Sequence, residues 1–190
     1  MSFDGPQAAN DAIRGDGVFE RVRRAIFNRE AADGTTVILQ IVITKQNAPL
    51  IEDFLESVMD WPVDGVAFTF YVPGREEEGE HCWTDLDLRE RDEVVDRVID
   101  LKRRYPFITS STETLNLLYS DRCLNATGSH GENCELRNVL PLYVVAGGQL
   151  ERTFCCYGNN VDCSRCGSYP AFNAARKRQA LGPSNDRQGA

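Results

Sequence analysis

The residues with the most chemical capacity in this chain are its cysteines. Four of the seven lie in "FCCYGNNVDCSRCG", residues 154–167, and two of those are adjacent. Cys163 and Cys166 form a CxxC pair, the spacing at which one turn of backbone directs two sulfurs at the same ion or cluster. Cys156 precedes them across a Gly-Asn-Asn turn, and Cys134 stands just before the apolar run that follows residue 140. Cys134, Cys156, Cys163 and Cys166 together supply four thiolates, a set that suits tetrahedral zinc or a 4Fe–4S cluster. Neighbours in an extended strand point to opposite sides, so only one of Cys155 and Cys156 can serve. Cys156 opens the turn and is assigned the role. Cys155 reads as a small buried apolar residue, and the converse assignment stays open. A dithiol redox role for Cys163 and Cys166 ranks last, because the pair follows a hairpin instead of opening a helix beside a βαβ unit.

Other reactive residues carry weaker signals. His81 and Cys82 are adjacent in "PGREEEGEHCWTD", but two neighbouring ligands with no visible third partner read as surface residues. The acidic run Glu76–Glu80 reads as a solvated loop, since nothing in the sequence fixes its geometry. Cys123 reads as an unliganded thiol. Phe68, Phe70 and Tyr71 read as core packing.

The elements that must position the cysteines come from periodicity. "VFERVRRAIFNRE" (18–30) puts Val18, Phe19, Val22, Ala25 and Ile26 on one helical face. "TVILQIVIT" (36–44) and "GVAFTFYV" (65–72) read as buried strands, the first covered on both faces. Asn47 is placed to cap a helix carrying Pro49 in its first turn and Leu50, Ile51, Phe54, Leu55 and Val58 along one stripe. Residues 92–106 read as a helix, 107–109 as a short strand, and Ser110 with Glu113 as a capping box for a helix reaching about Leu118. Strand–helix alternation of this kind implies parallel β/α units with right-handed crossovers. After about residue 120 the pattern changes. Residues 140–156 hold two β-rich runs around Gly147 and Gly148, a hairpin. A short helix, "YPAFNAARKRQ", and a polar tail expected to be disordered follow. The expected organisation is therefore α/β: β/α units over residues 1–122, a small cysteine-rich hairpin extension over 123–178, and a tail over 179–190.

Composition limits the partners. The chain has 190 residues, 42 % hydrophobic, and a formal net charge of −8. That balance argues against nucleic acid, whose phosphates an acidic surface repels. No stretch approaches the about 18–20 apolar residues needed to cross a bilayer. "MSFDGPQAAND" has neither a basic start nor an apolar run, so a cytoplasmic location is expected. Thiols there stay reduced, which favours metal binding over structural disulfides.

"SFDGPQAANDAIRGDGVFERVRRAI" resembles a recurrent segment of radical SAM enzymes, the S-x-D-G-P … D-x-x-R-G-x-G-x-F pattern after the fourth strand of their partial (β/α)₆ barrel. "VILQIVITKQN" is similar to the fifth strand and its exit, and "VDGVAFTFYVP" to the sixth-strand region. The end of the chain is similar to the cysteine-rich SPASM and twitch extensions, with a spacing that would hold one auxiliary 4Fe–4S cluster. The resemblance spans roughly residues 1–170 and implies an incomplete parallel β/α barrel, half of the family's partial TIM barrel. It also implies that Ser2, Asp4 and Arg14 contact the cofactor S-adenosylmethionine or hold its site, Arg14 through a bidentate bond to the cofactor's carboxylate. The family's CxxxCxxC motif, whose thiolates hold the cluster that cleaves S-adenosylmethionine, is absent from this sequence. The expectation is a C-terminal half, inactive alone, with a partner subunit carrying the first half or an electron donor, and an unknown substrate. The alternative is a non-catalytic Cys₄ zinc module.

Overall fold

The computed structural model describes residues 1–29, 34–84, 88–136, 143–146, 149–152 and 160–181. Its centre is a parallel sheet of β1 (Ser2–Phe3), β2 (Ile38–Ile43) and β3 (Gly65–Phe70), in that order, open at its edges among the described residues. Phe3 pairs with Ile41, and Ile38 with Gly65, through to Ile43 with Phe70. Ile108 forms a further parallel bridge with Val66, where a fourth short strand was expected. A sheet whose spatial order follows its chain order is what right-handed β/α units produce when each strand is laid beside the last.

Helices α1 (Gln7–Arg14) and α2 (Val18–Phe27) join β1 to β2. A 3₁₀ turn, Ala48–Leu50, leads into α3 (Ile51–Val58) and on to β3. Then come α4 (Leu88–Arg104), the short α5 (Thr112–Leu115) and α6 (Ser120–Thr127). The expected hairpin is present as β4 (Tyr143–Ala146) against β5 (Gln149–Arg152); Gly147 and Gly148 at its turn lie outside the described residues. Helix α7 (Tyr169–Leu181) is the last described element and runs into the segment expected to be a tail, whose residues 182–190 lie outside the described residues.

One hydrophobic cluster unites these elements. Phe3, Phe19, Phe54, Phe68 and Phe70 share it with Val95, Leu115, Cys166 and Phe172. Three sequence expectations give way here. First, β2 is fully covered on one face only: Leu39, Ile41 and Ile43 are fully buried, whereas Ile38, Gln40 and Val42 are half-buried, and Val42 lines an open cavity. Second, the Asn47 side chain does not cap a helix. Its Oδ1 accepts from the Thr44 amide at 2.8 Å, and its Nδ2 donates to the carbonyls of Asp4 at 2.9 Å and Val42 at 2.8 Å. It is a staple between the exits of β1 and β2, satisfying buried backbone groups that no ladder reaches. Third, the cap of α5 is Ser111, whose Oγ accepts from Thr114 N at 3.2 Å. Ser110 instead accepts from the Phe68 amide at 2.9 Å, completing the edge of β3.

Candidate functional site

The carboxyl ends of the three parallel strands open onto a cavity of about 700 Å³. This is the end at which parallel β/α sheets assemble their sites. Asp4 follows β1, Thr44 follows β2, and Tyr71 follows β3; all three line the cavity, together with Arg14, Gln46 and His81. Val18 and Val42 supply apolar wall.

The segment from Asp4 to Phe19 shows what its motif residues do. Gly5 takes φ +125°, a conformation L side chains rarely adopt, and so turns the chain from β1 into α1. Asn10 accepts from the Asp4 amide at 3.1 Å. Asp11 accepts from the amides of Phe19 at 2.8 Å and Gly17 at 3.1 Å, fixing the corner between α1 and α2. The Phe19 amide bond is the main influence holding the Asp11 carboxyl below its ordinary range. Arg14 Nε lies 2.6 Å from Asp4 Oδ2, and a terminal guanidinium nitrogen donates to Oδ1 at 3.2 Å. The expected bidentate bond of Arg14 thus goes to Asp4, whose side chain is 4 % exposed, and the pair forms part of the cavity wall. Ser2 is exposed in β1 and is not among the residues lining the cavity.

The cysteine segment docks at the same end of β3. Gly167 O accepts from Phe70 N at 2.8 Å, Asp162 N donates to Pro73 O at 2.8 Å, and Val161 bridges Gly74. Gly167 permits this approach: a Cβ there would fall 2.3 Å from Phe70 Cβ. Asp162 caps the 3₁₀ turn Cys163–Arg165 by accepting from Ser164 N, and it pairs with Arg165 Nε at 2.6 Å. Cys163 is half-buried and its thiol is pushed up, chiefly by burial and next by neighbouring Cys134. Cys166 is 5 % exposed, inside the core cluster, close enough to Arg91 to act on its charge. Cys156, with Cys155, lies outside the described residues. Cys123, which the sequence left as a bystander, comes to this turn as well. Its Sγ lies 3.6 Å from Ser164 O, and one helical turn on, Thr127 Oγ1 donates to Cys163 O at 3.0 Å. The signal for it was present, a cysteine four residues ahead of a threonine on one helix face, but it has meaning only once α6 is seen to pack on the CxxC turn. No disulfide joins the five described cysteines.

Arg91, buried on α4, organises this region. One terminal nitrogen donates to Cys166 O at 2.8 Å and to Leu118 O at 3.0 Å. The other reaches Arg165 O at 3.4 Å, and the guanidinium lies 5.6 Å from the centre of the Phe70 ring. Burial lowers its pKa, partly opposed by Cys123, Cys166 and Asp92.

A second constellation corrects the reading of the acidic loop. Glu77 is not merely solvated. Its Oε2 accepts from the Gly74 amide at 2.7 Å, and its Oε1 meets Tyr71 OH at 2.8 Å and His81 Nε2 at 2.9 Å. The Gly74 amide leads, with His81 and Tyr71, in holding the Glu77 carboxyl down to about 2. Burial, then Glu77, pushes the Tyr71 hydroxyl up to about 12. Glu77, His81 and Cys82 form the one group of three ligating side chains, among the described residues, whose donor atoms all lie within 4.8 Å of one another. Sequence reasoning missed the third partner because it sits inside a run of four glutamates and a glycine, in which no position stands out.

Neither protein-family models, nor curated proteins, nor solved structures match the chain. No described helix is long and apolar enough to cross a membrane.

Proposed function

We propose that this chain is a radical SAM-type half barrel bearing one auxiliary 4Fe–4S cluster. The observation that carries the reading is a shared location. The Asp4–Arg14 pair of the S-x-D-G-P … R-G-x-G segment and the CxxC turn both sit at the carboxyl end of the same parallel sheet. A substrate occupying the cavity would meet Arg14 and Tyr71 directly.

The donor chemistry fits a cluster. Cys134 and Cys163 are neighbours, Cys166 ends the turn that Cys163 opens, and burial pushes the Cys163 thiol up, so metal binding there would release its proton. Cys134, Cys156, Cys163 and Cys166 would hold the cluster, which supplies electron transfer or a substrate-binding iron when bound. The chain's own residues do the positioning. Arg91 fixes the carbonyls of Arg165 and Cys166, and so the pitch of the CxxC turn. Asp4 is fixed through its amide by Asn10 and through its carbonyl by Asn47, so it presents Arg14 to the cavity with little freedom. S-adenosylmethionine cleavage would need a CxxxCxxC cluster, a motif this sequence does not contain.

The test is anaerobic reconstitution with iron and sulfide. The expected product is brown, with broad visible absorption that bleaches on reduction, and it loses its iron in the Cys163→Ser/Cys166→Ser variant. Colourless protein holding zinc and no iron at these cysteines would overturn the reading in favour of a structural Cys₄ module.

A further inference from the structure

We propose that Glu77, His81 and Cys82 bind one divalent transition ion of the zinc class, with its open coordination position facing the cavity. One donor atom from each residue lies within 4.8 Å of the other two before any ion is present. The loop holding them is built, not loose. Gly74 N fixes Glu77 Oε2, Cys82 N donates to Gly79 O at 3.0 Å, and Lys45 N donates to His81 O at 3.0 Å, tying the loop to the exit of β2. A Cβ on Gly79 would fall 2.7 Å from the His81 ring, so the glycine is what lets the imidazole fold back over the loop.

The donor types select the ion. One thiolate, one imidazole and one carboxylate suit borderline-soft zinc, cobalt or nickel. Calcium and magnesium need oxygen ligands, and this group offers one carboxylate. Three protein ligands are the number that leaves a tetrahedral ion one exchangeable position. Cys82 lies at the back of the group, 3 % exposed, whereas His81 and Tyr71 line the cavity, so the vacant position is on the cavity side. On binding, Cys82 releases its thiol proton to solvent, and His81 Nε2 exchanges its contact with Glu77 Oε1 for the ion. Tyr71 OH keeps its bond to Glu77 and orients the carboxylate from behind. The placement gives the cavity a Lewis acid beside the Asp4–Arg14 pair, suited to a ligand carrying an oxygen or nitrogen donor.

The site uses none of the cysteines assigned to the iron–sulfur cluster, so the two proposals stand apart. The chain, stripped of metal under reducing conditions, is titrated with Co²⁺ and followed by absorption. The Cys163→Ser/Cys166→Ser variant should bind one equivalent with a thiolate-to-cobalt charge-transfer band. Adding Cys82→Ser should abolish the band, and adding His81→Ala should weaken binding at least about 100-fold. In the otherwise unchanged chain, Glu77→Gln and His81→Ala should each remove one equivalent while leaving the iron content after reconstitution, and the metal-free circular-dichroism spectrum, unchanged. Cobalt stoichiometry and affinity unaffected by Cys82→Ser and His81→Ala would overturn the site, whatever the iron result.

Discussion

At the scale of single residues, the least expected side chain is Arg91. It is 2 % exposed, its partners are backbone carbonyls, and its Nε has no hydrogen-bond partner among the described residues. A buried guanidinium facing neutral acceptors bears a desolvation cost that only good hydrogen bonds offset. Here those bonds tie α4 to the Cys163–Arg165 turn and to Leu118, three segments far apart in sequence. Arg91→Ala should therefore lower stability by about 3 kcal/mol, from the cavity and from carbonyls left without donors. Arg91→Met keeps the apolar volume and removes the desolvation cost, so its loss should be nearer about 1–2 kcal/mol. Urea unfolding of the three proteins measures the order; an alanine variant as stable as the parent would mean that the carbonyls find other donors.

At the scale of elements, the contact that brings chemistry to the sheet is the docking of residues 161–169 on the end of β3. Gly167 O accepts from both Phe70 N and Thr69 Oγ1, and Tyr169 N donates back to Thr69 Oγ1 at 3.0 Å. Gly167→Ala would place a methyl 2.3 Å from Phe70 Cβ and 2.9 Å from the Phe70 carbonyl. Backbone cannot yield as a flexible side chain does, so the segment should lift off β3 at a cost of about 2–3 kcal/mol. Hydrogen exchange at the Phe70 amide should rise selectively, while Val66, bonded to Phe107 O, stays protected. Equal protection of Phe70 in the variant and the parent would show that the close approach is not needed. This contact also marks where the sequence stopped being informative. The strands at 38–43 and 65–70 and the helices at 18–27 and 88–104 announce themselves, because periodicity is a local property of consecutive residues. Asn47 and Ser110 each had a plausible local role, and each was taken by a longer-range partner: Asp4 O and Phe68 N. A short polar side chain reads the same whether it caps its own helix or pins a neighbouring strand. Glu77 finds its partners close by, in Gly74, Tyr71 and His81, but a run of four glutamates hides which one is used. The CxxC pair was legible from spacing; that Cys123 and Arg91 converge on it was not, since nothing local relates positions 91, 123 and 163.

At the scale of the molecule, the question is whether the cysteine-rich region is a separate body on a β/α base. The change of pattern near residue 120 suggests a boundary, yet α6 runs from Ser120 to Thr127 across it. Beyond it, Cys166, Ala171 and Phe172 enter the same hydrophobic cluster as Phe3 and Phe54. A core shared to this degree couples the two regions, because neither can open without exposing apolar surface of the other. The two tryptophans of the chain pack against different aromatic groups of this core. Trp61 packs edge-on against Phe3, Phe19 and Phe27, at centroid distances of 5.6, 5.9 and 5.7 Å. Trp83 packs on Phe70 at 5.7 Å, and its carbonyl accepts from Arg165. Trp83→Phe therefore leaves a fluorophore that reports the sheet and α2, and Trp61→Phe leaves one that reports the cysteine turn. Under reducing, metal-free conditions both variants should unfold in urea with coincident fluorescence and circular-dichroism transitions. An earlier transition at Trp83 would make the turn an independently melting unit. The coincident result means that metal bound at the cysteines stabilises the sheet as well. Loading the cluster would then raise the unfolding midpoint reported by Trp61, some distance from any ligand, by linkage through the common core.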